Sequence, residues 1–176
     1  MNRAAFVVAA FASAVVAVGC GPPTVTFDVP ISAEAVVQEG NIIDQILGDF
    51  GFSELADINL EGTSEFENQD VRREQVVSAR LTALNLTIKA PDGANFDWLD
   101  SVSFSVAADG ESTERVASKT VDNGQVAIAC DRDDVDLGPF IRSPRMSITT
   151  EADAIHPPQD TTVQIDLNFS ITAEIL

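Results

Sequence analysis

The chain has 176 residues, with 28 acidic side chains against 10 basic ones and a formal charge of −18. A field of that sign, with no basic stripe to neutralise phosphate, excludes nucleic-acid binding as a leading function. One histidine and two cysteines exclude a structural zinc site, while the length allows one domain with a substantial core.

The chain begins Met1-Asn2-Arg3, and Ala4 to Val18 is apolar except for Ser13. Such a run falls short of the about 20 residues that a spanning helix needs. It matches the core of a signal peptide behind a basic start. The run ends at Cys20, and Gly21-Pro22-Pro23 follows at once. Ala17-Val18-Gly19-Cys20 resembles a lipobox, the tetrapeptide cut before its cysteine in bacterial lipoprotein precursors, although Leu or Val is commoner where Ala17 stands. The resemblance implies a signal peptide over residues 1–19, a diacylglycerol on the Cys20 sulfur, and Cys20 as the first mature residue. Gly21 in the second mature position, rather than Asp, is similar to lipoproteins sent on to the outer membrane of a diderm host. The alternative is an ordinary secretory signal cut near Val15-Val16-Ala17, with Cys20 left as a free thiol. Each buried methylene contributes about 0.8 kcal/mol, so one acyl chain holds marginally, whereas two or three hold durably.

Loss of residues 1–19 removes Arg3 and no acid, leaving 157 residues with a formal charge of −19. Residues 20–23 form a short tether of roughly 10–14 Å at most. The domain is therefore expected close against the membrane surface.

From Thr24 onward the pattern is mostly β. Thr24–Val29 is a first short strand. Asn41–Phe50 breaks the pattern, because Ile42, Ile43, Ile46, Leu47 and Phe50 share one helical face. Asn41 suits its start and Gly51 its end. Val76–Lys89 is a long strand whose apolar phase changes midway: Val77, Ala79 and Leu81 come first, then Leu84, Leu86 and Ile88. A bulge or bend near Ala83, or a crossing between sheets, resolves the conflict. Asn95–Leu99 adds one helical turn before Ser101–Ala108, which points Val102, Phe104 and Val106 inward.

Asp109-Gly110 is a hairpin signal, and Asp122-Asn123-Gly124 is a second. Arg115–Ser118, Gln125–Cys130 and Met146–Ala154 are further short strands. Thr162–Leu176 is the clearest, since seven apolar residues from Val163 to Ile175 alternate strictly with polar ones.

Few residues suggest chemistry. Asp131-Arg132-Asp133-Asp134-Val135-Asp136 is the best metal candidate, because calcium takes six to eight oxygens from flexible loops. Asp131, Asp133, Asp134 and Asp136 are its ligands on that reading. The run lacks the glycine and the terminal acid of an EF-hand, and a solvated acidic turn is the plainer account. Phe96 and Trp98 are either a loop recognition surface or a plug for the end of the core. Cys130 follows Val126 and Ile128 at alternate positions and reads as an inward small hydrophobe. Its acidic neighbours argue against a reactive thiolate. His156 lies in a proline-rich loop, and no G-x-S-x-G elbow accompanies it. Asn85 and Asn168 head N-x-S/T triplets in mid-strand, where they are coincidental.

The expectation is a mainly β chain: a two-sheet antiparallel β-sandwich, immunoglobulin-like in architecture, over residues 24–176, with one short helix near 41–50. The functional expectation is a lipid-anchored envelope protein. It would be a non-catalytic binding or structural module, held to the membrane through Cys20 and partnered by another envelope protein. A calcium-assisted adhesion or carbohydrate-binding module is the alternative. No cofactor other than calcium is implied.

Overall fold

The computed structural model describes residues 22–39 and 58–175. The signal segment, Cys20 and the helix expected near residues 41–50 lie outside them. The described chain is mainly β. Its elements are β1 (Thr24–Val37), α1 (Ser64–Gln69), β2 (Val76–Ala90), β3 (Leu99–Ala108), β4 (Glu114–Thr120), β5 (Ala127–Ala129), β6 (Asp131–Arg132), α2 (Gly138–Arg142), β7 (Met146–Ala154) and β8 (Thr161–Glu174), with short 3-10 turns at Leu60–Gly62 and Arg73–Gln75.

Two four-stranded sheets form, in the orders β1-β8-β2-β5 and β6-β4-β3-β7. All pairings are antiparallel. The two-sheet architecture is the one expected. The strand order differs from the immunoglobulin one, since β8 lies between β1 and β2.

β8 organises its sheet because its period of two never breaks. Val163, Ile165, Leu167, Phe169, Ile171 and Ala173 are all buried, and the residues between them face outward. Each such Val, Leu, Ile or Phe contributes about 1.5–3 kcal/mol by leaving water. From the second sheet, Val102, Phe104 and Val106 of β3 join the same core. Ile175, expected on the inward face, is instead 39% exposed, because it lies beyond the last core layer.

β1 runs eight residues further than its sequence suggested. Pro30 is the reason, since proline ordinarily ends a strand. Here β1 is a sheet edge. Ile175 N donates to Pro23 O at 2.9 Å. Continuing that register makes the odd-numbered residues of β1 the ones bonded to β8. Pro30 therefore turns its donorless nitrogen to the side of β1 that no described strand pairs with, and costs no ladder bond there.

The phase change in β2 is a bulge within one sheet, not a crossing. Thr82 is the extra residue between Leu81 and Ala83, and a second irregularity lies between Val76 and Ser78. That second shift corrects the inward set: Val76 is buried, while Val77 is 46% exposed. β4 bulges in the same way, with Val116 extra opposite the Phe104/Ser105 step. This allows Val116 and Ala117 both to be buried in succession.

Gly110 takes φ +87° in the β3–β4 hairpin, as Asp-Gly there required. Gly124 also has positive φ, at +80°. Its turn, however, carries the chain from β4 in one sheet to β5 in the other, so it is not a hairpin. Residues 96–99 form a single hydrogen-bonded turn, with Leu99 N on Phe96 O, rather than helix.

The two sides of the sandwich close differently. On one, β5 passes directly into β6 of the opposite sheet. On the other, residues 58–75 fill the gap. The Phe66 ring of α1 meets Phe27 of β1 edge-on at 5.2 Å, and Ile58 bridges Met146 of β7. Neither α1 nor α2 was anticipated. Both are too short to show an apolar face by period, and α2 carries Pro139 in its first turn, where proline is tolerated.

Candidate functional site: the acidic seam between the sheets

The acidic run at 131–136 is the place where the chain crosses from one sheet to the other. Cys130 N still donates to Leu84 O of β2, at 2.9 Å. The next two residues, Asp131 and Arg132, pair with Ser118 and Ala117 of β4. Both bulges lie beside this crossing. The Arg132 guanidinium donates to the Thr82 carbonyl on β2. Asp133 N donates to the Val116 carbonyl on β4, at 2.9 Å. Each bulge leaves a carbonyl outside its regular ladder, and the crossing segment supplies the missing donor.

The four carboxylates do not converge on a common point. Asp131 takes Lys119 Nζ at 3.2 Å, Asp133 takes Arg115 Nε at 2.8 Å, and Asp134 pairs with Arg80. Asp136 turns the other way. Its Oδ1 accepts from Ala79 N and Gly138 N, both at 3.0 Å, and so fixes the entry to α2 on β2. Leu137 N adds a bond to Ala79 O at 2.8 Å. Among the described residues no group of three or more His, Cys, Asp or Glu is arranged to hold a metal. The calcium reading thus finds no shared oxygen cage here, for a physical reason. Three of the four acids already have cations of the chain as counterions, and the fourth is spent on backbone donors.

Electrostatics follow from these pairings. The Arg115 hydrogen bond holds the Asp133 carboxyl below its usual range, and Asp133 in turn raises Arg115. These groups are largely exposed, so water and salt screen them strongly. Cys130 is 7% exposed, and burial pushes its thiol up to about 12, with Asp131 adding to the effect and Lys119 opposing it. It stays protonated and unreactive at neutral pH, a packing residue at the sheet crossing.

Phe96 and Trp98 are 1% and 3% exposed, with ring centroids 5.9 Å apart. Neither ring is on the surface, so a recognition patch is not what they form. They close the end of the core farthest from Pro23. Asp97, between them, points outward. It accepts from Gly124 N through Oδ1 and from Asn95 Nδ2 through Oδ2, at 2.9 Å for the latter, which ties two loops together. Phe96 N donates to Gln125 O at 2.8 Å. The plug carries a cost, because the Trp98 indole N–H and the Gln125 side-chain carbonyl are buried without partners among the described residues. His156 is exposed, and its Nδ1 lies 3.4 Å from Pro157 O.

One surface escaped the sequence reading. An open depression of about 370 Å3 crosses the outer face of β3 and its neighbours, with Ser101, Ser103 and Ser118 in it and Lys119, Glu151 and Asp153 alongside. Alternating serines on a wet strand face look like any solvated surface, so sequence gave no signal. The groups there are hydroxyls, two carboxylates and one ammonium. No family model matches the chain, and no curated protein matches it.

Proposed function

We propose that the protein is a lipid-anchored module of a bacterial cell envelope that binds or braces another envelope protein rather than catalysing a reaction. Residues 1–19 direct export, Cys20 carries the lipid, and the sandwich is the working part. In a diderm host, Gly21 directs it to the outer membrane. The observation that carries this reading is a cysteine placed at the end of an apolar leader and four residues before a strand. Such a position has little use except as an attachment point.

The test is mass spectrometry of the protein purified from its membrane, alongside a Cys20→Ser variant. The expected result is a mature chain beginning at Cys20 and heavier by its acyl groups, with the variant retaining its leader. An unmodified Cys20 thiol, or a mature chain beginning elsewhere, refutes the anchor. Crosslinking in the intact envelope should then give one stoichiometric protein adduct.

A further inference from the structure

We propose that the outer face of β3, with β7 and β4 beside it, docks an extended segment of the partner protein that carries arginine or lysine at alternate positions. This deepens the partner-binding reading and rests on it. The face is the one crossed by the open depression of about 370 Å3.

Its shape follows from side-chain length. The outward positions of β3 are Ser101, Ser103, Ser105 and Ala107, all short. On one side Asp153 stands across from Ser101 and Glu151 across from Ser103. On the other, Thr120 and Ser118 stand across from the same two serines. Neighbouring strands lie about 4.8 Å apart, so β7 and β4 are about 10 Å apart across a low serine floor. One extended chain lying along β3 fits that width.

The polar groups here are unengaged. Among the described residues, the side chains of Ser101, Ser103, Ser118, Glu151 and Asp153 make no hydrogen bond or ion pair. The outer face of the other sheet is different, because its side chains bond to one another. Ser32 and Gln164 both donate to Asp166, Thr26 pairs with Thr172, and Asn168 donates to Thr82.

Charge names the occupant. Glu151 and Asp153 are exposed, and β3 and β7 contain neither lysine nor arginine. The cations of β4 and β6 are committed: Lys119 to Asp131, Arg115 to Asp133, and Arg132 to the Thr82 carbonyl. Two free carboxylates above hydroxyls that can accept suit an ammonium or a guanidinium. Glu151 and Asp153 are two residues apart on one strand face, a separation of about 7 Å. Alternate side chains of an extended segment repeat at the same interval, so cations at positions i and i+2 meet both acids. Adjacent cations point to opposite faces, and only one can. A second copy is the poorer occupant, because two chains of charge −18 repel.

Two dye-labelled, end-blocked peptides of one composition test this. One has two arginines separated by a serine, and the other has them adjacent. Each is titrated into the full protein and followed by fluorescence anisotropy. The alternating peptide should bind about fivefold tighter, the effect of one further exposed ion pair. Equal affinities overturn the proposal. A Glu151→Gln/Asp153→Asn variant should weaken the alternating peptide about tenfold. Asp28→Asn/Glu34→Gln removes the same charge from the other sheet's face and should leave affinity within about twofold. Equal weakening would mean that net charge alone attracts the peptide, which also overturns the proposal. Sedimentation of the protein as a dimer that the Glu151→Gln/Asp153→Asn variant loses would make the occupant a second copy instead. Crosslinking in the intact envelope separates the two readings. A protein adduct mapped to β3, β4 or β7 supports both. An adduct mapped elsewhere removes this face and leaves the partner reading, whereas no adduct removes both.

Discussion

Asp136 shows how little a residue's charge says about its use. Its carboxylate holds Ala79 N and Gly138 N, so it splices α2 onto β2. Asp136→Ala should destabilise the fold by about 1 kcal/mol, while Asp136→Asn, which keeps an acceptor oxygen, should cost much less. Urea melts of the two variants check this, and equal losses would mean the charge matters rather than the hydrogen bonds.

Cys130 and the depressed carboxylates set the pH limits. The folded Cys130 thiol titrates at about 12 against an ordinary 9.0. The native state therefore keeps its proton where the unfolded chain has lost one, and stability should fall as pH rises from about 9 to about 12. A Cys130→Ala variant should lack that alkaline slope. Asp133 and Asp166 behave oppositely. Arg115 depresses the first, and the Ser32 hydroxyl and Gln164 amide depress the second. Their contribution is present above the unfolded carboxyl value near 4 and is lost as pH falls through the lower folded values.

At the scale of elements, the strands with an unbroken period were legible and the irregular ones were not. β8 along its length, and β3 from Val102 to Val106, show themselves in sequence because one face is wet and the other dry. β2 announced a break near Ala83, and the bulge is indeed at Thr82, but the second shift at its start was hidden because Val76 and Val77 are the same residue type. β1 was cut short at Pro30, whose harmlessness depends on which edge is free. That placement also protects the edge. Replacing Pro30 with Thr should restore an outward N–H in the middle of a 14-residue edge strand and promote edge-to-edge association. Light scattering or analytical ultracentrifugation at rising concentration would reveal it, and a variant that stays as dispersed as the parent would show that Asp28 and Glu34 suffice as guards.

For the whole molecule, the charge dominates. The chain carries −18, and the four ion pairs of the described residues are largely exposed. Self-repulsion of the acids should outweigh those pairs. Raising sodium chloride from about 0.01 M to about 1 M shortens the screening length from about 30 Å to about 3 Å and should raise Tm. A fall in Tm would place the balance with the ion pairs instead.

Sequence by itself determined the class of fold, most of the inward faces of the long strands and the two glycine turns, because each is written in local periods and local chemistry. Tertiary structure alone decided what the acidic run does, where the aromatics point and how the two sides close. Those depend on which distant residues arrive beside them: Arg80, Arg115 and Lys119 beside the aspartates, Gln125 beside Phe96, and Phe66 beside Phe27. No window along the chain contains both members of such a pair, so their meeting follows from strand order and cannot be read from either segment.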